Sequence, residues 1–403
     1  MNDPSTPPVA TLKPRKALPF FCQHPWVYDS AIQKISGSVS TGDEVIVRAN
    51  DGQFIARGLI NPNSKIRIRL YSWDESTPLD ASFWKARIHD ALQLRKKLFG
   101  DTPTEKTCRL VFSESDRLSG LTVDRFNDWL ILQWTSAALE SHKTEIVNAL
   151  QEEVSPRGIW LRTEKGIKTL EGLDIEDGLI QGEEPPRRMT IEENSLRFHV
   201  DLIEGQKTGF YFDQRENRRA IHNLAAGAHV LDVCTYTGSF ALNAASNPKC
   251  ESVLAIDSSA SALELAQTNA EENGLANKVT FQRSDAFDGM AELVEQGIKF
   301  DLVILDPPKL ARTRGGLKRA VKAYIRLNSL AIQLLQPGGF LLTCSCSGHV
   351  SVTDFFEIIA QSSLEVARPV QILQEFGQAP DHPVISSCPE TSYLKAFLCR
   401  AIG

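Results

Sequence analysis

The 403-residue chain contains no CxxC pair, and its eight cysteines are scattered at 22, 108, 234, 250, 344, 346, 388 and 399. None of the spacings is one that a zinc site uses, so no metal is expected, and the thiols read as reduced ones in a cytoplasmic protein. The opening residues, MNDPSTPPVATLKPRKALPF, lack an apolar h-region. The longest later apolar stretch, around Leu330 to Cys346, is broken by Pro337-Gly338-Gly339. Both features argue against export and membrane spanning. Positive charge is not in excess either: 44 Lys and Arg against 50 Asp and Glu leave a net charge of -6. A surface coated in positive charge is excluded, but a local basic groove is not. No internal repeat is visible, and the only biased tract is a Pro/Ser/Thr-rich tail over residues 1 to about 15.

Hydrophobic residues make up 42% and charged residues 23% of the chain, an ordinary globular balance with enough apolar surface for a real core. The length suggests two to three domains, which rules out a single small binding module. Residues 44–49 and 53–60 flank Asn50-Asp51-Gly52 and predict a hairpin, because Asp-Gly supplies the positive φ of a tight turn. Residues 65–71 alternate, with Ile66, Ile68 and Leu70 on one face and Lys65, Arg67 and Arg69 on the other. The first domain, residues 1–75, is therefore expected to be a small β unit with a basic face. Helical spacing over 79–99 opens an α+β middle domain, residues 76–190. It continues through a strand at 129–134, a helix near 138–152 and a strand at 158–162, and closes at the turn-rich EDGLIQGEEPPRR.

In residues 191–403 strand and helix signals alternate. Strands are expected at 228–233, 252–257, 278–282, 300–305, 339–345, 365–372 and 393–399, and helices at 214–224, 239–246, 259–273, 287–297, 317–335 and 352–362. Such alternation gives an α/β fold with a doubly wound, mostly parallel sheet, whose ligands sit at the carboxyl ends of the strands.

Those ends carry a repeated acid. The first strand runs through Asp232-Val233-Cys234-Thr235-Tyr236-Thr237-Gly238 into a helix, a turn that lets a ligand approach the backbone. The second strand ends at Asp257-Ser258, placed to accept from ribose hydroxyls. The third is followed by Asp285-Ala286-Phe287, where the acid can hold an adenine amino group and the ring can cover its face. A dinucleotide fold would have G-x-G-x-x-G here, but Cys234 and Tyr236 take the first two glycine positions, so the pyrophosphate cradle is missing. S-adenosylmethionine, which carries adenosine without phosphate, fits these residues. Any one of the acids alone could equally be a helix cap.

The fourth strand leads into Asp306-Pro307-Pro308-Lys309, a proline-stiffened turn at the same sheet edge. The fifth leads into Thr343-Cys344-Ser345-Cys346-Ser347-Gly348. Alternation puts Cys344 and Cys346 on one side, with Cys346 nearer the open tip. A thiolate there suits methylation of a pyrimidine at C5: addition at C6 makes C5 enamine-like and able to attack an electrophilic methyl group. Asp306 near N3 would stabilise the charge that develops on the ring, and a base would then remove the C5 proton. The plainer reading of Cys346 is one more buried thiol. Between Pro307 and Thr353 there is no Asp or Glu, whereas Lys309, Arg312, Arg314, Lys318, Arg319, Lys322 and Arg326 are present. That run, with Lys65 and Arg67 of the first domain, is the candidate surface for an RNA backbone.

DVCTYTGSF, DPPK and CSCSG, together with the segment Gly205-Gln206-Lys207-Thr208-Gly209-Phe210-Tyr211-Phe212-Asp213-Gln214-Arg215, resemble the bacterial PUA-domain large-subunit (23S) rRNA cytosine-C5 methyltransferases. His24-Pro25-Trp26-Val27-Tyr28 and Asp381-His382-Pro383 extend the likeness over nearly the whole chain. The resemblance implies a Rossmann-like class I methyltransferase domain with a seven-stranded, mostly parallel sheet. A small β PUA-like barrel and an α+β middle domain would precede it. It also implies that Cys346 is the nucleophile, that Asp306 sits against the target base, and that Asp232, Asp257 and Asp285 hold S-adenosylmethionine. Lys207, Phe210, Asp213 and Gln214 would line its methionine end. The implied partner is 23S rRNA before full ribosome assembly, with homodimer formation left open. Cys344 departs from the family's pattern, in which a larger apolar residue is usual. Two other readings remain: an RNA methyltransferase acting on uridine C5 or a base nitrogen, and a non-catalytic ribosome-assembly factor.

Overall fold

The computed structural model describes residues 7–163, 165–203, 209–311 and 314–403. The chain forms two compact units. One comprises residues up to Met189 with Asp201–Phe210 and Pro380–Thr391, and the other comprises Thr190–Val200, Tyr211–Ala379 and Ser392–Gly403.

The first unit holds two sheets. In the six-stranded sheet the order is Trp26–Tyr28, Ile66–Ser72, Phe54–Ile60, Glu44–Arg48, Val9–Leu12, Ile32–Ile35. The hairpin expected at 44–60 is present, and Gly52 at its turn has φ 90°. Leu12, Val27, Val45, Val47, Ile60 and Ile68 form the core of this sheet. In the five-stranded sheet the order is Gly178–Gly182, Gly158–Leu161, Trp129–Trp134, Leu121–Phe126, Thr107–Phe112. Helices Ala81–Phe99 and Lys143–Val154 pack their apolar residues Phe83, Trp84, Ile88, Ile146 and Leu150 into its core.

Two expectations need correction here. Arg69 is not on a solvated basic face. It is buried, and its guanidinium donates to Glu114, Ser119 and the Thr135 carbonyl, with Glu171 at 3.6 Å. The outward face of that strand meets the segment around Ser119, so alternation separated the two faces correctly while water reaches only part of one. The turn-rich segment after residue 175 contains the edge strand Gly178–Gly182. Gly182 of this strand and Gly158 of its partner allow close approach: a Cβ on Gly182 would lie 2.1 Å from the Arg157 carbonyl oxygen, and one on Gly158 would lie 1.9 Å from that of Glu183.

The second unit is built on a seven-stranded sheet in the order Val279–Arg283, Ser252–Asp257, His229–Val233, Phe300–Leu305, Leu335–Ser345, Lys395–Ala401, Val370–Phe376. The first five strands are parallel, and the last two are antiparallel to their neighbours. Strand order reverses between His229–Val233 and Phe300–Leu305. The carboxyl ends of those strands therefore flank a switch-point crevice, where α/β sheets bind ligands. Because Lys395–Ala401 runs the other way, with Lys395 opposite Ser345, its amino end lies at the same edge. Pro337-Gly338-Gly339 does not precede the fifth strand but lies inside it as an irregularity, with Gly338 at φ 79°. The strand expected at 365–372 begins at Val370, because helix Val352–Glu365 runs three residues further than its spacing suggested and is followed by a turn with Ala367 at φ 51°. Among the described residues, no helix is long and apolar enough to cross a membrane.

Candidate cofactor and catalytic site

The turn after His229–Val233 keeps the backbone shape of a glycine-rich loop without the glycines. Cys234 has φ 64° and Tyr236 has φ 51°, a region that costs a side-chain-bearing residue about 1 kcal/mol or more. Asp232 holds this shape. Its Oδ2 accepts from Thr235 Oγ1 at 2.5 Å and from the Ala241 amide of the following helix, Ser239–Ala245, at 2.9 Å. Its Oδ1 is buried with no hydrogen-bond partner, and burial pushes its carboxyl up to about 7. Gly238, at φ 82°, could not carry a side chain easily, since a Cβ would lie 3.2 Å from that of Ala266.

Asp257 spans two backbone segments. Its Oδ2 accepts from the Tyr236 amide and its Oδ1 from the Ser259 amide, both at 2.9 Å. Ser258 is exposed, and its carbonyl accepts from Arg283. Asp285 caps helix Ala286–Glu295 and accepts from the Phe287 amide at 2.8 Å, while its side chain remains exposed. The capping reading is thus true of Asp285, and all three acids also shape backbone. Phe287, expected to cover a ring face, has the Arg326 guanidinium 5.0 Å from its own ring centroid.

The acids converge. Burial raises the Cys234 thiol far above its ordinary range, and Asp257, Asp306, Asp232 and Asp285 each raise it further. Four carboxylates around one loop would repel a pyrophosphate and attract a cation. S-adenosylmethionine matches this donor set: it offers a sulfonium, an ammonium, a ribose diol and an adenine amine to carboxylate acceptors, one of which is the unpartnered Asp232 oxygen.

Across the crevice, Asp306 Oδ2 accepts from Gln214 Nε2 at 2.9 Å, and Gln214 Oε1 accepts in turn from Asn217 at 2.5 Å. Asp213 is buried, and its carboxylate accepts from the Tyr393 hydroxyl. The two thiols of the fifth strand's end differ. Cys344 is fully buried, and burial first, then Asp306, drives its thiol well above the ordinary value. Cys346 lies one residue past the strand and is half-buried. Its turn is held by buried hydroxyls: Tyr324 bonds to both Ser345 and Ser347 at 3.0 Å, and Ser347 Oγ accepts from the Ala311 amide at 3.1 Å. Tyr211 lies within electrostatic reach of both Asp306 and Cys346.

Residues 177–400 match the S-adenosylmethionine-dependent methyltransferase family. The chain belongs to that family. Its residues 10–73 match the PUA-like domain. The methyltransferase is 39% identical over 381 residues to ribosomal RNA large subunit methyltransferase I of Erwinia tasmaniensis, covering 94% of this chain and 96% of the relative. A Yersinia pestis protein of the same name matches with the same identity and coverage. Among solved structures, a Streptococcus mutans chain described as a SAM-dependent methyltransferase superposes with a TM-score of 0.83 at 18% identity, covering 97% of this chain and 99% of its own. A second solved structure, described as a methyltransferase complexed with SAH, has the same TM-score at 19% identity. At those identities the likeness establishes the fold: a PUA-like domain followed by a Rossmann-like methyltransferase domain. Family membership makes S-adenosylmethionine the methyltransferase's cofactor.

Of the remaining residues expected at the site, Lys207 and Arg312 lie outside the described residues, as does the side chain of Arg314. Phe210 and Thr237 are buried, and Ala286 opens its helix. Lys309 and Lys65 are exposed, whereas Arg67 is held by Asp29 at 2.9 Å. On helix Leu317–Leu334 the methyltransferase exposes Lys318, Arg319, Lys322 and Arg326. Sequence reading missed Lys395, a buried lysine whose only signal is that it heads the apolar run Ala396–Cys399. It also missed the buried clamp in which Arg218 donates to both oxygens of Glu193, at 2.6 and 2.8 Å, and to the Tyr211 carbonyl at 2.9 Å. Cysteine spacing gave no hint of a further group, His24, Cys388 and Glu390, whose ligand atoms lie within 4.8 Å of one another. His24 Nδ1 accepts from the Trp26 amide at 3.2 Å, which leaves the ring proton on Nε2, facing Glu390 at 3.3 Å.

Proposed function

We propose that this methyltransferase modifies C5 of a cytidine in 23S rRNA through a covalent bond between Cys346 and C6. The observation that carries the reading is the contrast between the two thiols: Cys344 is sealed, whereas Cys346 stands half-open on the turn just past the strand and, like Asp306, lies within electrostatic reach of Tyr211. The large-subunit rRNA substrate named for the relatives at 39% identity supports the choice of nucleic acid.

S-adenosylmethionine supplies an electrophilic methyl group, held by Asp232, the turn Tyr236-Thr237-Gly238, Asp257-Ser258, Asp285-Ala286 and the segment through Phe210, Asp213 and Gln214. Cys346 Sγ adds to C6 as the thiolate, and the C5–C6 π electrons become available at C5 for the methyl group. Asp306, oriented by Gln214, faces N3 and stabilises the charge on the ring. Removal of the C5 proton by a base then restores the double bond and expels the Cys346 thiolate. The target nucleoside must leave its stack to reach the crevice. Lys309, Arg312, Arg314, Lys65 and Arg67 are the residues offered to its phosphates.

Mass mapping and bisulfite sequencing of 23S rRNA from cells with and without the gene test this reading. One 5-methylcytidine is expected to vanish on deletion, to return with the wild-type gene and to stay absent with Cys346→Ser. Unchanged cytosine methylation on deletion contradicts it, and methylation that survives Cys346→Ser points to nitrogen chemistry.

A further inference from the structure

Lys395 is 3% exposed, and its ammonium donates to the Ser347 carbonyl at 2.7 Å and the Tyr393 carbonyl at 2.8 Å. An ammonium has three donors, and among the described residues no carboxylate pairs with this one. A buried cation without a counter-ion is costly, and proteins keep such groups where a charge of the opposite sign forms. The side chain that can form one here is Cys346, the neighbour of Ser347 on the same turn, which lies within electrostatic reach of Lys395. Lys309 and Asp354 also act on Lys395, while Tyr211, Tyr324 and Cys344 lie within electrostatic reach of the sulfur. Each of those three disfavours a thiolate when it is itself ionised, whereas the Lys395 ammonium favours one. Burial brings the Lys395 ammonium down to about 8, consistent with a charge that lacks a permanent partner.

We propose that Lys395 is the positioning residue of the Cys346 nucleophile: it clamps the turn through the Ser347 carbonyl and serves as counter-ion to the thiolate. This rests on Cys346 being the attacking group. The strand topology makes the arrangement possible, since the antiparallel strand Lys395–Ala401 brings its first residue to the edge where the parallel strands end.

The test is the pH dependence of iodoacetamide alkylation at Cys346, read by tandem mass spectrometry on the full-length wild type, Lys395→Met and Lys395→Arg. In the wild type the midpoint is expected below the ordinary thiol value of about 8.5. Lys395→Met is expected to raise it by about one unit, slowing alkylation roughly tenfold at pH 7, whereas Lys395→Arg keeps it low. Methylation by Lys395→Met should lose roughly tenfold or more in kcat, with KM for RNA little changed, and should recover as pH rises; a merely structural lysine would give no such recovery. A wild-type midpoint at or above about 8.5, or the same midpoint in Lys395→Met, overturns the proposal. If Lys395→Met fails to fold, the wild-type profile and Lys395→Arg decide. A Cys346→Ser enzyme that still methylates removes the nucleophile reading itself. A dead Cys346→Ser beside an unshifted profile removes only the role of Lys395.

Discussion

Asp232 has one oxygen that fixes the cofactor loop and one that is buried without a partner. Its carboxyl is raised to about 7 in the fold, so its contribution to stability is present below the unfolded value near 4 and is lost as pH rises through 7. Asp232→Asn should therefore raise the melting temperature of the ligand-free protein at pH 8, by less at pH 5, and leave it nearly unchanged below about pH 4. The cationic cofactor has the opposite preference, because it requires the ionised acid. Calorimetry should show S-adenosylmethionine affinity falling roughly tenfold per pH unit below 7, with that dependence absent in Asp232→Asn. An affinity flat from pH 5 to 8 in the wild type would sink the assignment of Asp232. The same residue shows where sequence reading stops: its position at a strand end pointed to a ligand, but its double duty needed the Thr235 and Ala241 contacts.

Elements present these residues with little freedom. The loop from Cys234 to Gly238 has three residues at positive φ, and Gly238→Ala is expected to cost about 1–2 kcal/mol in denaturant unfolding and to weaken cofactor binding. Arg218→Ala removes the bidentate partner of buried Glu193, which keeps the Arg215 guanidinium at 3.3 Å, and should cost about 1–3 kcal/mol. An effect under about 1 kcal/mol would show that the clamp between Glu193 and the Tyr211 segment is dispensable. Six of the seven strands and the six helices of this sheet were legible because buried parallel strands read as apolar runs such as FDLVIL, and the helices between them as 3.6-residue periods. Two edge strands were less so. Val370–Phe376 is mostly solvent-facing and starts five residues later than expected, and Gly178–Gly182 pairs where Gly182 meets the Arg157 backbone, which reads as a turn in the sequence. Arg69 and Lys395 were misread or missed for a related reason: a charged residue on a strand reads as exposed until its partners are known.

At the scale of the whole molecule, a net charge of -6 coexists with a helix face carrying Lys318, Arg319 and Lys322 near the Pro307–Pro308 turn in sequence. Replacing these three by glutamate should lower the salt slope of RNA binding by about two, at roughly 0.7 per phosphate contact on a single strand. An unchanged slope between low and moderate salt would assign that face to solvent. The covalent step permits a more direct measurement. With RNA carrying 5-fluorocytidine at the target position, fluorine replaces the proton that the base must remove, so addition and methyl transfer can occur while release cannot. In the presence of S-adenosylmethionine, the expected result is a denaturation-resistant complex whose RNA is attached at Cys346 by peptide mass, absent in Cys346→Ala and undiminished in Cys108→Ala. A wild-type enzyme that methylates ordinary RNA yet forms no such complex, or one attached at another residue, would contradict the account.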